Sequence, residues 1–326
     1  MRDRGGSVQG CATDDTPRNR EEWMTETRSR RLIVMADDFG IGPGTSQAIL
    51  DLATQGKVTG TVLIVNSPFA ADAVSSWRRS RSSLEVGWHP NLTLDHPIAA
   101  PEKIPSLVRA DGSLHTLGSF MKRLMFGRIR TNEAEIELRA QYERFIALVG
   151  HAPAFLNGHQ HVHIFKPIAL ALQRIVGEQC PRPYVRRVRE PWGVIRRVPG
   201  ARLKRVMLSH SGRRTGGIYD SLGCPGNDTL AGITDPAYVT DPLYFTRWLG
   251  CVPGEVVELA CHPGYWDDTL HGRDCEVGDG KAQRRVDELD LMSRPSFMDA
   301  CRKAGFRLTS ISSMVAGSPA SVSRAA

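Results

Sequence analysis

The chain has 326 residues, of which 41% are hydrophobic and 24% charged, with 42 Lys and Arg against 35 Asp and Glu. That composition fits an ordinary globular protein, long enough for one large α/β domain or two small ones. No stretch approaches the roughly 18 consecutive apolar residues of a membrane span, which excludes a transmembrane segment. The net charge of +7 is largely the property of one basic stretch described below, and no nucleic-acid recognition motif accompanies it, so no nucleic-acid partner is expected. The seven cysteines, Cys11, Cys180, Cys224, Cys251, Cys261, Cys275 and Cys301, stand singly with no CxxC pair. They read as reduced thiols of a cytoplasmic protein and speak against a cysteine zinc site.

Residues 1–30 hold almost no aliphatic side chains and no period, and are expected to be disordered. They carry no recognisable secretory signal, and Met24 offers a second start of translation. The chain is organised around RLIVMADDFG at 31–40. Leu32–Met35 forms a short apolar run suited to a strand buried on both faces. Asp37 and Asp38 follow at once, and Gly40, Gly42 and Gly44 then break the extended run. Adjacent like charges repel unless a proton or cation offsets them. The pair is therefore either a solvated turn with a helix cap, or a metal-binding carboxylate beside a proton-handling one.

A helix is expected at Thr45–Gln55, a strand at Val58–Val65, a helix at Ala70–Trp77 and a third strand at Leu84–Gly87. That order is the signature of a parallel sheet or barrel. His89 follows the third strand, and parallel strands deliver their carboxyl ends to one side, so it can reach the mouth that holds Asp37 and Asp38. Residues 95–132 read as a long substrate-binding or lid segment, and Asn132–Val149 as an amphipathic structural helix with Ile136, Leu138, Tyr142, Phe145, Ile146 and Val149 on one side.

The stretch from Ala154 to Pro167 contains His159, His161 and His163. An extended chain would send all three to one face; a helix would instead pair His159 with His163 around one metal ion. Ile168–Cys180 continues as a helix. Val185–Arg205 is strongly basic, opposed only by Glu190. Its prolines and glycines prevent one continuous amphipathic helix, so it either meets an anionic substrate or a lipid headgroup or, the simpler reading, forms a solvated face. From this stretch Arg186, Arg187 or Arg189 could reach the site. Residues 209–242 read as long loops over the mouth. Val256–Ala260 is a late strand with His262 and Tyr265 just beyond it, and Arg284–Met292 and Pro295–Ala304 are closing helices. Phe306–Ser310 is a last strand, and 316–326 a frayed tail.

ADDFG at 36–40, the strand-end histidine and its following residues at 89–93, HQHVH at 159–163 and CHPGY at 261–265 together resemble the YdjC-like carbohydrate deacetylases, relatives of the NodB-type polysaccharide deacetylases. The resemblance spans nearly all of residues 31–312. It implies a single α/β domain at 31–315, a distorted (β/α) barrel of TIM-barrel-like form with one divalent metal ion at its mouth. Carried over by position, Asp38, His89 and His159 would be the metal ligands, Asp37 the general base and His262 the general acid. His161, His163, Arg189 and Tyr265 complete the candidate site as substrate contacts. The family's metal is described as magnesium or zinc, and two histidines with one carboxylate suit zinc. At 157–158 this chain has Asn-Gly where the family often carries Asp-Ser, a departure that bears on substrate contacts rather than on the ligand histidine.

The implied reaction is hydrolysis of an N-acetyl group on an amino sugar, a soluble oligosaccharide or a glycolipid, with release of acetate. Trp88, Tyr265 and Trp266 could stack on sugar faces, and specificity would lie in 95–132 and 209–242. A homodimer is compatible with the chain. Two other readings remain: a metal-dependent phosphoesterase or amidohydrolase built on the HxH at 159–161, and a sugar-binding relative without catalysis. The second predicts loss of a metal or acid–base residue, and none is lost. A phosphorylation receiver is excluded by length and by His89 where an acceptor aspartate would stand.

Overall fold

The computed structural model describes residues 29–316; the expectations for 1–28 and 317–326 lie outside the described residues. Eight strands form one wholly parallel sheet: β1 (Arg30–Phe39), β2 (Gly60–Leu63), β3 (Glu85–Trp88), β4 (Phe155–Leu156), β5 (Tyr184–Val185), β6 (Thr229–Ala231), β7 (Val256–Cys261) and β8 (Phe306–Leu308). Their order is β5-β4-β3-β2-β1-β7-β6, with β8 beside the start of β1. The ten-residue β1 is the axis of the fold. One of its edges pairs β7 from Arg31 to Ala36; the other is shared, β8 taking Arg30–Leu32 and β2 taking Met35–Phe39.

The strands curl into a distorted barrel. No ladder joins β5 to β6, yet the seam is stitched: Val185 N donates to Pro225 O (2.9 Å) and Leu230 N to Arg189 O (2.9 Å). Between them the Asn227 side chain acts as a missing strand residue, accepting from Arg187 N and donating to Arg187 O, both at 2.8 Å. Alternation along β1 divides the core. Ile33 and Met35 face the barrel interior with Val62, Phe155, Tyr184 and Val256, closed by Ile311 and Met314 of the last helix. Leu32, Val34 and Ala36 face the surrounding helices in the main apolar cluster.

Most expected elements are present with shifted ends: helices at Pro43–Thr54, Ala70–Ser80, Thr131–Val149, Lys166–Gly177, Lys281–Ser293 and Pro295–Lys303. The strand expected over 58–65 is confined to Gly60–Leu63. The segment 95–132 holds a helix, Leu117–Met125, and is tied down rather than loose. Glu137 accepts from Ile98 N (3.0 Å) and Ala99 N (2.8 Å), and Glu133 from Ser106 N (2.6 Å). Those acids lie on the buried face of Thr131–Val149, while Ile136 is 38% exposed.

Two expectations fail. Residues 209–242 are not loops throughout, because Arg202–Ser221 is a 20-residue helix and Thr229–Ala231 a strand. The helix escapes a search for apolar period because its buried stripe is Arg205, Ser209, Gly212, Thr215, Gly216 and Tyr219. The stripe must be small, since a Cβ on Gly212 would stand 2.1 Å from Val188 O. Nor is the basic stretch simply a solvated face: Arg186, Arg187 and Arg205 are buried, Arg205 donating to Glu190 and lying 4.6 Å over the Trp248 ring. The six cysteines among the described residues are free, and no helix there is long and apolar enough to cross a membrane.

Candidate metal centre and active site

The end of β1 builds the site by breaking strand alternation. In a regular strand Asp37 and Asp38 would face opposite sides. Instead Asp38 takes a left-handed conformation (φ 68), one that aspartate tolerates better than most residues, and Gly40 another (φ 82). Both carboxylates then line one mouth pocket of about 250 Å³.

His89 arrives from the end of β3 and His159 from the end of β4. His89 Nε2 lies 3.2 Å and His159 Nδ1 2.9 Å from the same oxygen, Asp38 Oδ1, and one donor atom from each of the three residues falls within 4.8 Å of the others. His89 Nδ1 lies 2.7 Å from Asn157 O. A carbonyl only accepts, so Nδ1 carries a proton and Nε2 is the atom turned toward the carboxylate. Two lone-pair groups in contact require a cation between them, a second proton or a metal. One carboxylate and two imidazoles with an open side are a donor set that divalent ions accept, so the residues fit the group.

The turn that delivers His159 depends on Gly158, where a Cβ would meet His163 N at 2.9 Å. Beyond it the chain is neither extended nor α-helical. His159–Ile164 is a tight turn with Gln160 (φ 51) and His161 (φ 61) left-handed. The three histidines therefore diverge. His161 lines the pocket with its Nδ1 buried and unpaired. His163, wholly buried, accepts from Gly158 N at 2.9 Å, and its Nε2 meets Arg186 O at 3.2 Å. Burial pushes it down to about 3, assisted by the Arg186 charge, so it is a neutral structural residue rather than a substrate contact. Among the described residues the group of three that could hold a metal is Asp38, His89 and His159, and neither His161 nor His163 belongs to it.

Asp274 holds Arg285, and Arg285 holds Asp38. Arg285 Nη2 donates to its free oxygen Oδ2 (2.6 Å) and to Asp274 Oδ2 (2.9 Å), while Asp274 Oδ1 stands 3.8 Å from His159 Nε2, which has no hydrogen-bond partner. Burial alone would raise Asp38, but Arg285 and His159 outweigh it and hold the carboxyl well below its usual range. Asp274 and Arg285 were not singled out from sequence; their signal, a DC-E-DG loop followed by paired arginines, has no period and no recognisable spacing.

Asp37 is held from inside the barrel. Arg186 grips it with two bonds, Nη1 to Oδ2 (2.6 Å) and Nη2 to Oδ1 (2.8 Å), and donates its Nε to Glu258 Oε1 (2.6 Å). Tyr184 OH donates to the other Glu258 oxygen (2.6 Å), and Asn157 Nδ2 reaches Asp37 at 3.3 Å. Burial would raise Asp37; the guanidinium reverses this and keeps it ionised. Arg186, not Arg189, is thus the arginine that reaches the site. Tyr184 and Arg186 point inward along one strand face, whereas Arg187 and Arg189 point outward to Asp220, both at 2.8 Å.

His262 closes the far side, partly exposed, with Nε2 3.9 Å from Asp37 Oδ2. Arg284 Nη2 approaches its Nδ1 at 3.4 Å; a guanidinium only donates, so Nδ1 accepts and the Nε2–H faces the pocket. Glu288 holds both partners, accepting from Arg284 Nε at 2.8 Å and from His262 N. Burial, and then Arg284, push His262 below its ordinary value. The remaining expected contacts lie elsewhere. Tyr265 is 45% exposed and donates to Asp51 (2.8 Å). Trp88 is wholly buried against Tyr142, and Trp266 bonds Asp268.

A family model described as YdjC-like protein matches residues 31–303. The chain is 29% identical over 281 residues to a chitooligosaccharide deacetylase of Klebsiella pneumoniae (strain 342), covering 86% of this chain and 97% of that one. It is 28% identical over 304 residues to a carbohydrate deacetylase of Danio rerio, covering 85% and 96%. A crystal structure from Enterococcus faecalis V583, of a protein provisionally named for cellobiose-phosphate cleavage, superposes with a TM-score of 0.72 at 24% identity over 88% of this chain and 99% of that one. That likeness carries the fold.

Proposed function

The chain belongs to the YdjC-like protein family, and from that premise we propose that it is a metal-dependent carbohydrate deacetylase that removes the N-acetyl group of an amino sugar. The observation that carries the reading is Nε2 of His89 and Nδ1 of His159 turned on one oxygen of Asp38, beside an ionised Asp37 and a pocket-facing His262. The named relatives act on chitooligosaccharides and carbohydrates, and they match over nearly their whole length.

On this reading Asp38, His89 and His159 hold the ion, zinc or magnesium. A divalent ion supplies polarisation of the acetamide carbonyl and a lowered pKa for water. The chain's own groups do the rest. Asp37 accepts the proton of the attacking water, and Arg186 keeps it ionised and aimed. As the imidazolium, His262 gives its Nε2 proton to the departing amine as the C–N bond breaks, keeping its Nδ1 proton toward Glu288 and leaving acetate and the free amino sugar.

The test is acetate release from N,N′-diacetylchitobiose by the purified protein, with and without chelator, beside Asp37→Asn and His159→Ala. Release that vanishes with chelator and in both variants is expected. Release that survives chelation would remove the metal from the reading, and failure on every acetamido sugar offered would overturn it.

A further inference from the structure

One surface beside the mouth is not used by the chemistry above. Helices Trp192–Arg197 and Arg202–Ser221 pack side by side. Arg202 bonds Arg196 O at one end and Arg213 bonds Glu190 O at the other, so they run antiparallel and Trp192 lies along the middle of the longer helix. Their outer face exposes Trp192 (60%), Leu203 (75%) and Met207 (57%), the last two one turn apart. Around them stand Arg196, Arg197, Arg202, Lys204, Arg213 and Arg214, all exposed. None forms an ion pair with a carboxylate among the described residues. Of the neighbouring acids, Asp220 is taken by Arg187 and Arg189 and Glu190 by Arg205, while Asp235 accepts from Ala201 N and stands near Lys204 without an ion-pair contact. Lys204 also lines the pocket, as do Asp274 and Lys281, and Val277 between them is 91% exposed.

We propose that this face docks on an anionic lipid bilayer, and that the amino sugar presented to the mouth is the headgroup of a lipid. Unpaired cations around bulky exposed apolar side chains are the chemistry of an interfacial element: the cations meet anionic headgroups and the tryptophan, leucine and methionine enter the acyl boundary. A nucleic acid would satisfy the cations but give Leu203 and Met207 nothing to bury against. The docking half stands on the surface alone; the substrate half rests on the deacetylase reading.

The metal-loaded full chain is sedimented with vesicles of phosphatidylcholine, or of phosphatidylcholine and phosphatidylglycerol in equal parts. Binding is expected to the anionic vesicles only and to fall with salt. Leu203→Glu with Met207→Glu should weaken it at least tenfold while N,N′-diacetylchitobiose is cleaved at the unaltered rate, which also reports folding. No binding to anionic vesicles, or equal binding by the double variant, overturns the docking. With an N-acetylglucosaminyl lipid in the anionic vesicles, acetate release should exceed that from the soluble sugar by at least tenfold, and the double variant should lose the excess; no excess overturns the substrate half. Vesicle binding is scored without turnover. Its loss with acetate release intact therefore removes the docking alone, whereas binding without acetate from either sugar removes the deacetylase reading, and the substrate half with it, and leaves the docking.

Discussion

At the scale of single residues, the site is a set of charges each fixed by an opposite one. Asp274 serves Asp38 through Arg285 and faces the unpaired nitrogen of His159. Outer partners of this kind orient metal ligands and add negative charge to the site. Asp274→Asn should lower divalent-metal affinity by about 10–100-fold, measured by calorimetric titration of the apo protein; unchanged affinity would make Asp274 a pocket wall and nothing more. His262 carries a second prediction. If it donates its proton, kcat/KM falls as pH rises through its pKa, and burial with Arg284 sets that limb below the ordinary histidine value of about 6.5. Arg284→Gln removes one depressing charge and leaves Glu288, so the alkaline limb should move to higher pH. A limb that stays put would take His262 out of the proton-donor role.

At the scale of elements, three strands meet inside the barrel through Arg186: Asp37 from β1, Arg186 just past β5 and Glu258 from β7. The guanidinium reverses the effect of burial at Asp37, whereas at Glu258 burial prevails and the carboxyl stays above its usual range. Arg186→Met should destabilise by about 3–5 kcal/mol at neutral pH in urea unfolding, because it strands buried charge. The pH dependence gives the sign. In the wild type Asp37 is lowered, so its contribution is present above its unfolded value of about 3.9 and is lost as pH falls through the folded value. Without Arg186, burial raises Asp37, and protonation then relieves the variant. The stability gap should narrow on acidification, and a gap constant with pH would place the cost in packing instead.

At the scale of the whole molecule, the mouth draws on β1, β3, β4, β7 and the Asp274–Arg285 segment, so an ion at Asp38, His89 and His159 clamps distant parts of the chain. A ligand that binds only the folded state adds about 2.7 kcal/mol at a hundred times its dissociation constant. Zinc or magnesium should therefore raise the thermal midpoint, a chelator should reverse the gain, and Asp38→Asn should abolish it; equal midpoints in all conditions would argue against a resident ion.

The barrel and the choice of His159 came with the family resemblance, while the sequence by itself determined the parallel α/β order and the strand ends that carry Asp37, Asp38, His89, the histidines of 159–163 and His262. Each of these follows from apolar runs, strand ends and rare residue types, signals that are local in the chain. It could not show the helix at Arg202–Ser221, whose buried stripe is small and polar because Gly212 presses against Val188. Nor could it choose among Arg186, Arg187 and Arg189, or show which of His159, His161 and His163 turns to Asp38. Those outcomes turned on which face a strand residue takes and on left-handed turns at Asp38, Gln160 and His161. Asp274 and Arg285 were invisible for the same reason. Their place is set by partners 247 and 11 residues away from Arg285, and only the closed barrel brings such charges within hydrogen-bond reach.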